Sequence, residues 1–423
     1  MRTIQGLRWW VLALVALGTV VNYIDRNTLG VLAPVLKEQL HFSTEQYSFI
    51  VAAFQLSYSL MQPVAGFITD WIGLRLGYFI FALLWGTACA LHAFAGSWQA
   101  MAFFRGLLGV AEAAAIPSGV KTATVWFPPK ERSIATGWFN TGSSVGAMIT
   151  PPLVVWLSLT WGWQVAFVAT GLLAVGVACL WGLVYRNPEN ARHLGPEERA
   201  YIAGDQAPGA ALPRPSVGAV LGRGRFWGIA AARFLTEPAW QTFGFWIPLY
   251  MVTQRHMDIK QFALFAWLPF LGADLGCILS GYLSTFLAKR FRMTLINSRI
   301  AGIGVGCLCM IGPGLVGLVS SPITAILLFS LGGFAHQMLS SLLYAVTTDV
   351  FEKQDVATAT GFAGMAGYLG GTLFSLVIGQ LAGAIGFEPL FVCLSVFDIA
   401  AFVVVVAVLG QRGHRRGVAQ AVT

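Results

Sequence analysis

Four ionisable residues stand where water is scarce. Asp25 and Arg26 fall in the middle of a run, roughly 9–36, that is otherwise almost wholly apolar, and Arg105 and Glu112 interrupt a second such run. A charge at the centre of a bilayer-length apolar segment is costly, on the order of 2.5–3.5 kcal/mol on insertion scales. Neighbours on a helix point about 100° apart, so Asp25 and Arg26 do not simply cancel each other. Arg105 and Glu112 share a face, but about 10.5 Å separates them along the axis, too far for a direct ion pair. Each of the four needs a partner elsewhere. The simplest solution is a water-filled cavity between the first and fourth spans, with Arg26 and Arg105 as a cationic site and Asp25 and Glu112 beside it. A guanidinium offers two parallel N–H donors to a carboxylate, and a carboxylic acid kept from water can carry a proton near neutral pH. The chemistry implied is anion–proton coupling: ionised acids compete for the arginines, protonated ones release them to an incoming anion. A static charge lattice pinning two helices together is the alternative, and it needs fewer charges than four.

The elements that position these groups are membrane spans. Of the 423 residues, 57% are hydrophobic and only 10% charged, against about 25% charged in a soluble domain. Apolar runs recur to the C-terminus, enough for roughly twelve spans of about 20 residues. The pattern predicts spans over 9–36, 47–70, 76–95, 99–126, 132–156, 162–185, 226–253, 261–287, 294–317, 322–349, 357–384 and 388–410. This is an all-α polytopic membrane protein with a six-helix bundle over 1–185, a proline- and charge-bearing linker over 186–225 that is partly helical around Pro196–Arg199, and a second six-helix bundle with a short tail over 226–423. The net charge of +8 is distributed by side: with both termini cytoplasmic, 18 of the 26 basic residues fall in cytoplasmic segments and three in the opposite loops. That bias is topology, not nucleic-acid binding. The six cysteines lie in apolar spans without metal-ligand spacing, and neither a metal nor a cofactor is expected.

The two halves share an internal repeat. Phe127 to Gly137 recurs as Phe351 to Gly361 at a constant offset of 224 residues, each copy between the fourth and fifth span of its half. A second loop signature, Gly66-Phe-Ile-Thr-Asp70-Trp-Ile-Gly73-Leu-Arg75, follows the second span. Gly66 allows close helix approach, and Asp70 and Arg75 can clamp the ends of neighbouring helices; Glu131 and Arg132 occupy the loop before the fifth.

Around the charges, a sugar acid would need hydroxyl partners and a flat apolar face. Tyr58 and Gln62 share a face, as do Asn140 and Ser144 with Ser143 beside them, and Gln337, Ser341 and Tyr344 form a stripe in the tenth span. Trp240 and Trp246 are candidates for stacking. Arg233 and Glu237 stand four apart and can pair with each other; Asp274 is alone in its span and can partner Arg233 or take a proton. For His336 a hydrogen-bonded core position is expected, and for Asp398 an outer position with a local hydrogen bond.

Two halves, the central linker and the loop after the second span resemble the major facilitator superfamily over the whole chain. Asn22-Tyr-Ile-Asp25-Arg26, Phe104-Arg105 through Glu112-Ala, and Trp126-Phe127-Pro-x-Lys-Glu131-Arg132 resemble its anion:cation symporter branch. Further stretches, among them Met61-Gln-Pro-Val-Ala-Gly66, Arg233-Phe-Leu-x-Glu237-Pro-Ala-Trp240 and Gly332-Gly-Phe-Ala-His336-Gln337, are similar to the hexuronate transporters of that branch. The resemblance implies a monomer in the bacterial inner membrane that takes up galacturonate or glucuronate with protons by alternating access, around a site between the two halves. Galactonate, or exchange without protons, is the alternative. In the similar galactonate transporters the residues matching Tyr23, Asp25, Arg26, Tyr58, Arg105 and Glu112 bind substrate and protons; those relatives carry a glutamine where this chain has Ser143. An enzyme is not expected: neither HExxH nor a phosphate-binding glycine loop is present.

Overall fold

A computed structural model describes residues 3–128, 131–204, 217–351 and 356–410. Its helices in order are α1 (Leu7–Gln39), α2 (Thr44–Ile72), α3 (Leu74–Leu91), α4 (Trp98–Glu112), α5 (Ala115–Trp126), α6 (Arg132–Trp161), α7 (Trp163–Val184), α8 (Pro196–Gly204) and α9 (Val217–Leu221). They continue with α10 (Gly224–Phe245), α11 (Ile247–Thr253), α12 (Ile259–Phe265), α13 (Leu268–Phe291), α14 (Leu295–Cys309), α15 (Ile311–Gly314), α16 (Pro322–Val350), α17 (Val356–Ile385) and α18 (Glu388–Val405). No strand occurs among the described residues. Among the described residues, ten segments are long and apolar enough to cross a membrane. The two predicted spans outside that set are α2, which carries Gln55, Tyr58 and Gln62 along one stripe, and α10–α11, which carries Arg233, Glu237 and Gln241.

Several predicted spans are broken rather than continuous. The fourth divides into α4 and α5 immediately after Glu112, just ahead of Pro117; the seventh divides at Trp246, the eighth at Ala266–Trp267 and the ninth at Met310, ahead of Pro248, Pro269 and Pro313. Proline supplies no N–H to the preceding turn and its ring crowds the carbonyl there. Bilayer packing tolerates such a turn when neighbours cover it, and Pro34, Pro63 and Pro238 lie inside helices that stay unbroken. Tight reversals pass through left-handed glycines at Gly73 (φ 87°), between α2 and α3, and Gly162 (φ 95°), between α6 and α7. An L-residue with a Cβ is strained there. Helices α6 and α17 begin 224 residues apart, the offset of the sequence repeat.

The chain divides into two compact units. The first comprises Met1–Phe42 and Ala53–Ala211, the second Ser43–Ala52 and Leu212–Thr423. In the first, α6 packs along α1 and α3 along α7. The α3–α7 crossing is close because both helices present glycine: a Cβ on Gly86 would lie 2.7 Å from the Gly171 carbonyl oxygen, a geometry typical of membrane helices held by van der Waals packing. Helix α8 docks on the same unit. The carboxylate of Glu198 accepts from the backbone N–H groups of Leu7 (3.1 Å) and Arg8 (3.3 Å), and Tyr201 donates to Glu131 Oε1 (2.6 Å). In the second unit α13 packs along α16 and α10 along α17. The first turns of α2 also belong there: Tyr47 donates to the Phe245 carbonyl (2.7 Å) and its ring meets Trp246 edge-on.

Candidate transport site

Helix α4 reaches α2 through Gly109, which lies between Arg105 and Glu112 on the same face. A Cβ at Gly109 would fall 2.5 Å from the Phe54 carbonyl oxygen, so only glycine permits this approach. With α4 pressed there, Glu112 Oε2 receives Arg26 Nε (3.0 Å) and Nη2 (2.9 Å), and Nη2 also donates to Asn22 Oδ1 (3.4 Å). Arg105 lies alongside and donates from Nη1 to the backbone carbonyl of Arg26 (3.1 Å). The guanidinium of Arg26 is caged by rings, 4.8 Å from the centroid of Tyr23, 5.2 Å from Phe54 and 4.6 Å from Tyr58; that of Arg105 sits 5.8 Å from Phe54. Desolvated cation–π contacts of this kind contribute about 2 kcal/mol or more each. They also hold the guanidinium plane in place.

Asp25 faces another way. Its carboxylate accepts from the Cys89 thiol of α3 (3.3 Å), and the Thr170 hydroxyl of α7 lies 3.4 Å from that sulfur. Arg26, Glu112 and Arg105 thus form one cluster, while Asp25, about 100° round α1 from Arg26, turns to α3 and α7. Neither is an open wet pocket in this structure: Asp25, Arg105 and Glu112 are 0% exposed and Arg26 is 6% exposed. The physical reason is that the arginine's partner is already present. Glu112 and the aromatic cage supply what water would otherwise supply.

Of the polar groups singled out around these charges, Tyr23 and Tyr58 touch Arg26, and Gln62 Nε2 donates weakly to Tyr58 Oη (3.5 Å). Asn140 and Ser143 are joined to each other: the Ser143 hydroxyl donates to the Asn140 carbonyl (2.7 Å) on an exposed part of α6. A Cβ added at Gly66 would meet Pro117 at only 3.8 Å, an ordinary van der Waals distance. Arg75 donates from Nε and Nη2 to the Gly182 carbonyl at the end of α7 (3.2 and 2.6 Å), and Glu131 meets Arg8 (3.4 Å) as well as Tyr201. The side chains of Asp70 and Arg132 lie outside the described residues.

The second unit holds a cluster of its own. Arg233 donates to the Ser340 hydroxyl (2.7 Å) and the Tyr344 hydroxyl (2.6 Å), lies over the Tyr344 ring (4.5 Å), and stands 3.6 Å from Glu237. Two helical turns along α10 from Arg233, Trp240 stacks on His336 (centroids 5.5 Å, planes 16° apart) and meets Phe270 edge-on. Ser341 turns from this cluster to the Cys277 sulfur (3.1 Å); Gln337 and Asp274 are half-buried. Two expectations change. Trp246 is fully buried and its indole donates to Ser375 (3.3 Å), so its faces are covered by packing. Asp398 is fully buried rather than outward-facing, and the Cys307 thiol donates to its backbone carbonyl (3.1 Å).

Sequence reading missed Phe54, Cys89, Thr170 and Ser340 as site residues. Asn22 stood in the first motif without an assigned role. Ser340 could have been found from the i,i+4 spacing of His336, Ser340 and Tyr344, which form the stripe that faces Arg233. Cys89 carried no such signal, since a cysteine in an apolar span is ordinarily filler.

Comparison with known proteins matches these features to one family. Residues 15–319 match the Major Facilitator Superfamily. The chain is 50% identical over 415 residues to the hexuronate transporter of Escherichia coli (strain K12), covering 97% of this chain and 96% of that one. It is 49% identical over 326 residues to the galacturonate transporter of Dickeya chrysanthemi, covering 76% and 94%. The same fold occurs in a solved bacterial homologue of the human lysosomal transporter Spinster, in an inward-facing and occupied conformation, with a TM-score of 0.76 at 19% identity over 96% and 97% of the two chains. The long apolar helices, the buried charges within them and these matches have one source: the chain belongs to the Major Facilitator Superfamily, a family of multi-pass membrane transporters and not of enzymes.

Proposed function

We propose that this protein is a proton-coupled symporter that imports hexuronates, galacturonate and glucuronate, by alternating access. The hexuronate and galacturonate transporters named above support the substrate class. The observation that carries the mechanism is the two-donor contact of Arg26 on Glu112, buried beside Arg105. A substrate carboxylate offers Arg26 what the Glu112 carboxylate now offers it. Both cannot occupy the guanidinium's fork at once, so protonating Glu112 frees Arg26 for the substrate, and substrate release returns it to Glu112. Asp25 is a second proton carrier, on the part of α1 that meets α3 and α7. Tyr23, Tyr58 and Gln62 bind sugar hydroxyls on the same side as Arg26; within the second unit, Arg233, Ser340, Tyr344 and Trp240 are the candidates for substrate contact. The basic-residue bias sets both termini in the cytoplasm of a bacterial inner-membrane protein that works as a monomer.

Proteoliposomes test this reading. Labelled galacturonate accumulates when the outside is made acidic and an uncoupler abolishes the accumulation, while counterflow into substrate-loaded vesicles survives the uncoupler. Accumulation that persists with the uncoupler present removes proton coupling. Uptake of galactonate but not of hexuronates removes the substrate assignment.

A further inference from the structure

At one end of the α3–α7 seam, next to the Gly73 turn, a groove of about 830 Å³ opens between the two helices. One wall is Leu76 and Phe79, the other Cys179 and Leu183. Leu76 is 50% and Leu183 75% exposed, so this apolar wall faces the hydrocarbon of the bilayer. Two guanidiniums close the polar end. Arg75 and Arg186 donate to the same acceptor, the Gly182 carbonyl, at 2.6 Å and 3.4 Å. Arg186 also donates to the Tyr185 carbonyl (2.7 Å). Both cations thus meet neutral carbonyls, which leaves a concentrated positive field, and among the described residues neither arginine stands in an ion pair. A groove apolar along its length and doubly cationic at its mouth is complementary to one class of molecule present wherever the protein is. We infer that this groove binds an anionic phospholipid. Its phosphodiester sits between Arg75 and Arg186, which offer forked donors to phosphate oxygens, and an acyl chain lies along the outer face of the seam over Leu76, Phe79 and Leu183. The volume far exceeds that of a free phosphate, and the leucine walls give a free anion nothing. Bound there, the lipid ties the ends of α3 and α7 together across the seam. The site lies wholly in the first unit and stands independently of the proton-coupling mechanism.

Native mass spectrometry of the full-length protein released from detergent tests the site with phosphatidylglycerol, phosphatidylethanolamine and inorganic phosphate as separate probes. Phosphatidylglycerol is retained in preference to phosphatidylethanolamine, and the Arg75→Gln, Arg186→Gln double variant retains it about thirtyfold less, in line with two lost phosphate contacts. Leu183→Trp, which fills the groove and keeps both charges, also lowers retention. Arg192→Gln with Arg225→Gln, which removes two bases that line no such groove, leaves it unchanged. Equal retention of the two lipids, undiminished binding to the arginine double variant, loss of lipid in the Arg192–Arg225 control equal to that in the arginine variant, or displacement of phosphatidylglycerol by millimolar phosphate would each overturn the assignment. Circular dichroism and a thermal midpoint for every variant separate lost binding from lost folding.

Discussion

Glu112 and Arg26, 86 residues apart in the chain, meet in a two-donor contact with the carboxylate at 0% exposure. That geometry makes Glu112 a competitor for the group that a substrate carboxylate needs. Glu112→Gln keeps the side chain's volume and removes the competing charge. Hexuronate binding by this variant is expected to become independent of pH between about 5.5 and 7.5, tight at both, while accumulation against a gradient is lost. Binding to purified protein at the two pH values checks it; wild-type pH dependence in the variant would sink the competition model. Arg26→Ala, by contrast, abolishes binding. It also leaves Glu112 buried without its cation, a loss of about 3–5 kcal/mol, which the Arg26→Ala, Glu112→Gln double variant partly restores in the thermal midpoint.

Asp25 sits in a niche lined by Cys89 and Thr170 rather than beside the Arg26–Glu112 pair. A carboxylate that carries a proton without touching the substrate should be separable from binding. Asp25→Asn is expected to keep counterflow near the wild-type rate and to fail to concentrate substrate when the outside is made acidic. Loss of counterflow as well would assign Asp25 to binding.

Gly109 sets the distance between α4 and α2. In Gly109→Ala the new methyl meets the Phe54 carbonyl at 2.5 Å, a backbone atom that cannot rotate away. Overpacking of this kind costs about 1–3 kcal/mol. The thermal midpoint and the substrate affinity should both fall, whereas Gly137→Ala, where a Cβ meets nothing within 4 Å, should leave both near wild type. Equal effects at the two positions would show that the α2–α4 spacing does not matter to the site.

The Tyr344 hydroxyl accepts from Arg233 at 2.6 Å while 43% of the residue is exposed, so one end is fixed and the rest is open to a ligand. Tyr344→Phe removes a hydrogen bond to a charged group, about 1.5–3 kcal/mol. The KM for galacturonate is expected to rise roughly tenfold with the counterflow rate at saturation little changed. An unaltered KM would confine Arg233 and Tyr344 to a structural role.

Much of this protein was legible along the chain. Periodicity and length predict the spans because a bilayer core of fixed thickness admits little else, and the cost of a charge in hydrocarbon draws attention to Asp25, Arg26, Arg105, Glu112 and Arg233 without any structure. The i,i+4 spacing of Arg233 and Glu237 predicts their contact, observed at 3.6 Å. What one dimension does not hold is direction across a helix bundle. Only the packed structure decides that Arg26 takes Glu112 while Asp25, the next residue back, turns to a thiol on α3; the 100° between neighbouring side chains is known in advance, but which helix lies at each bearing is not. The break of the fourth span after Glu112, the use of Ser340 rather than Ser341 against Arg233 and the burial of Trp246 have the same origin. Each depends on which neighbour fills the space beside a helix, and that neighbour comes from a distant part of the sequence.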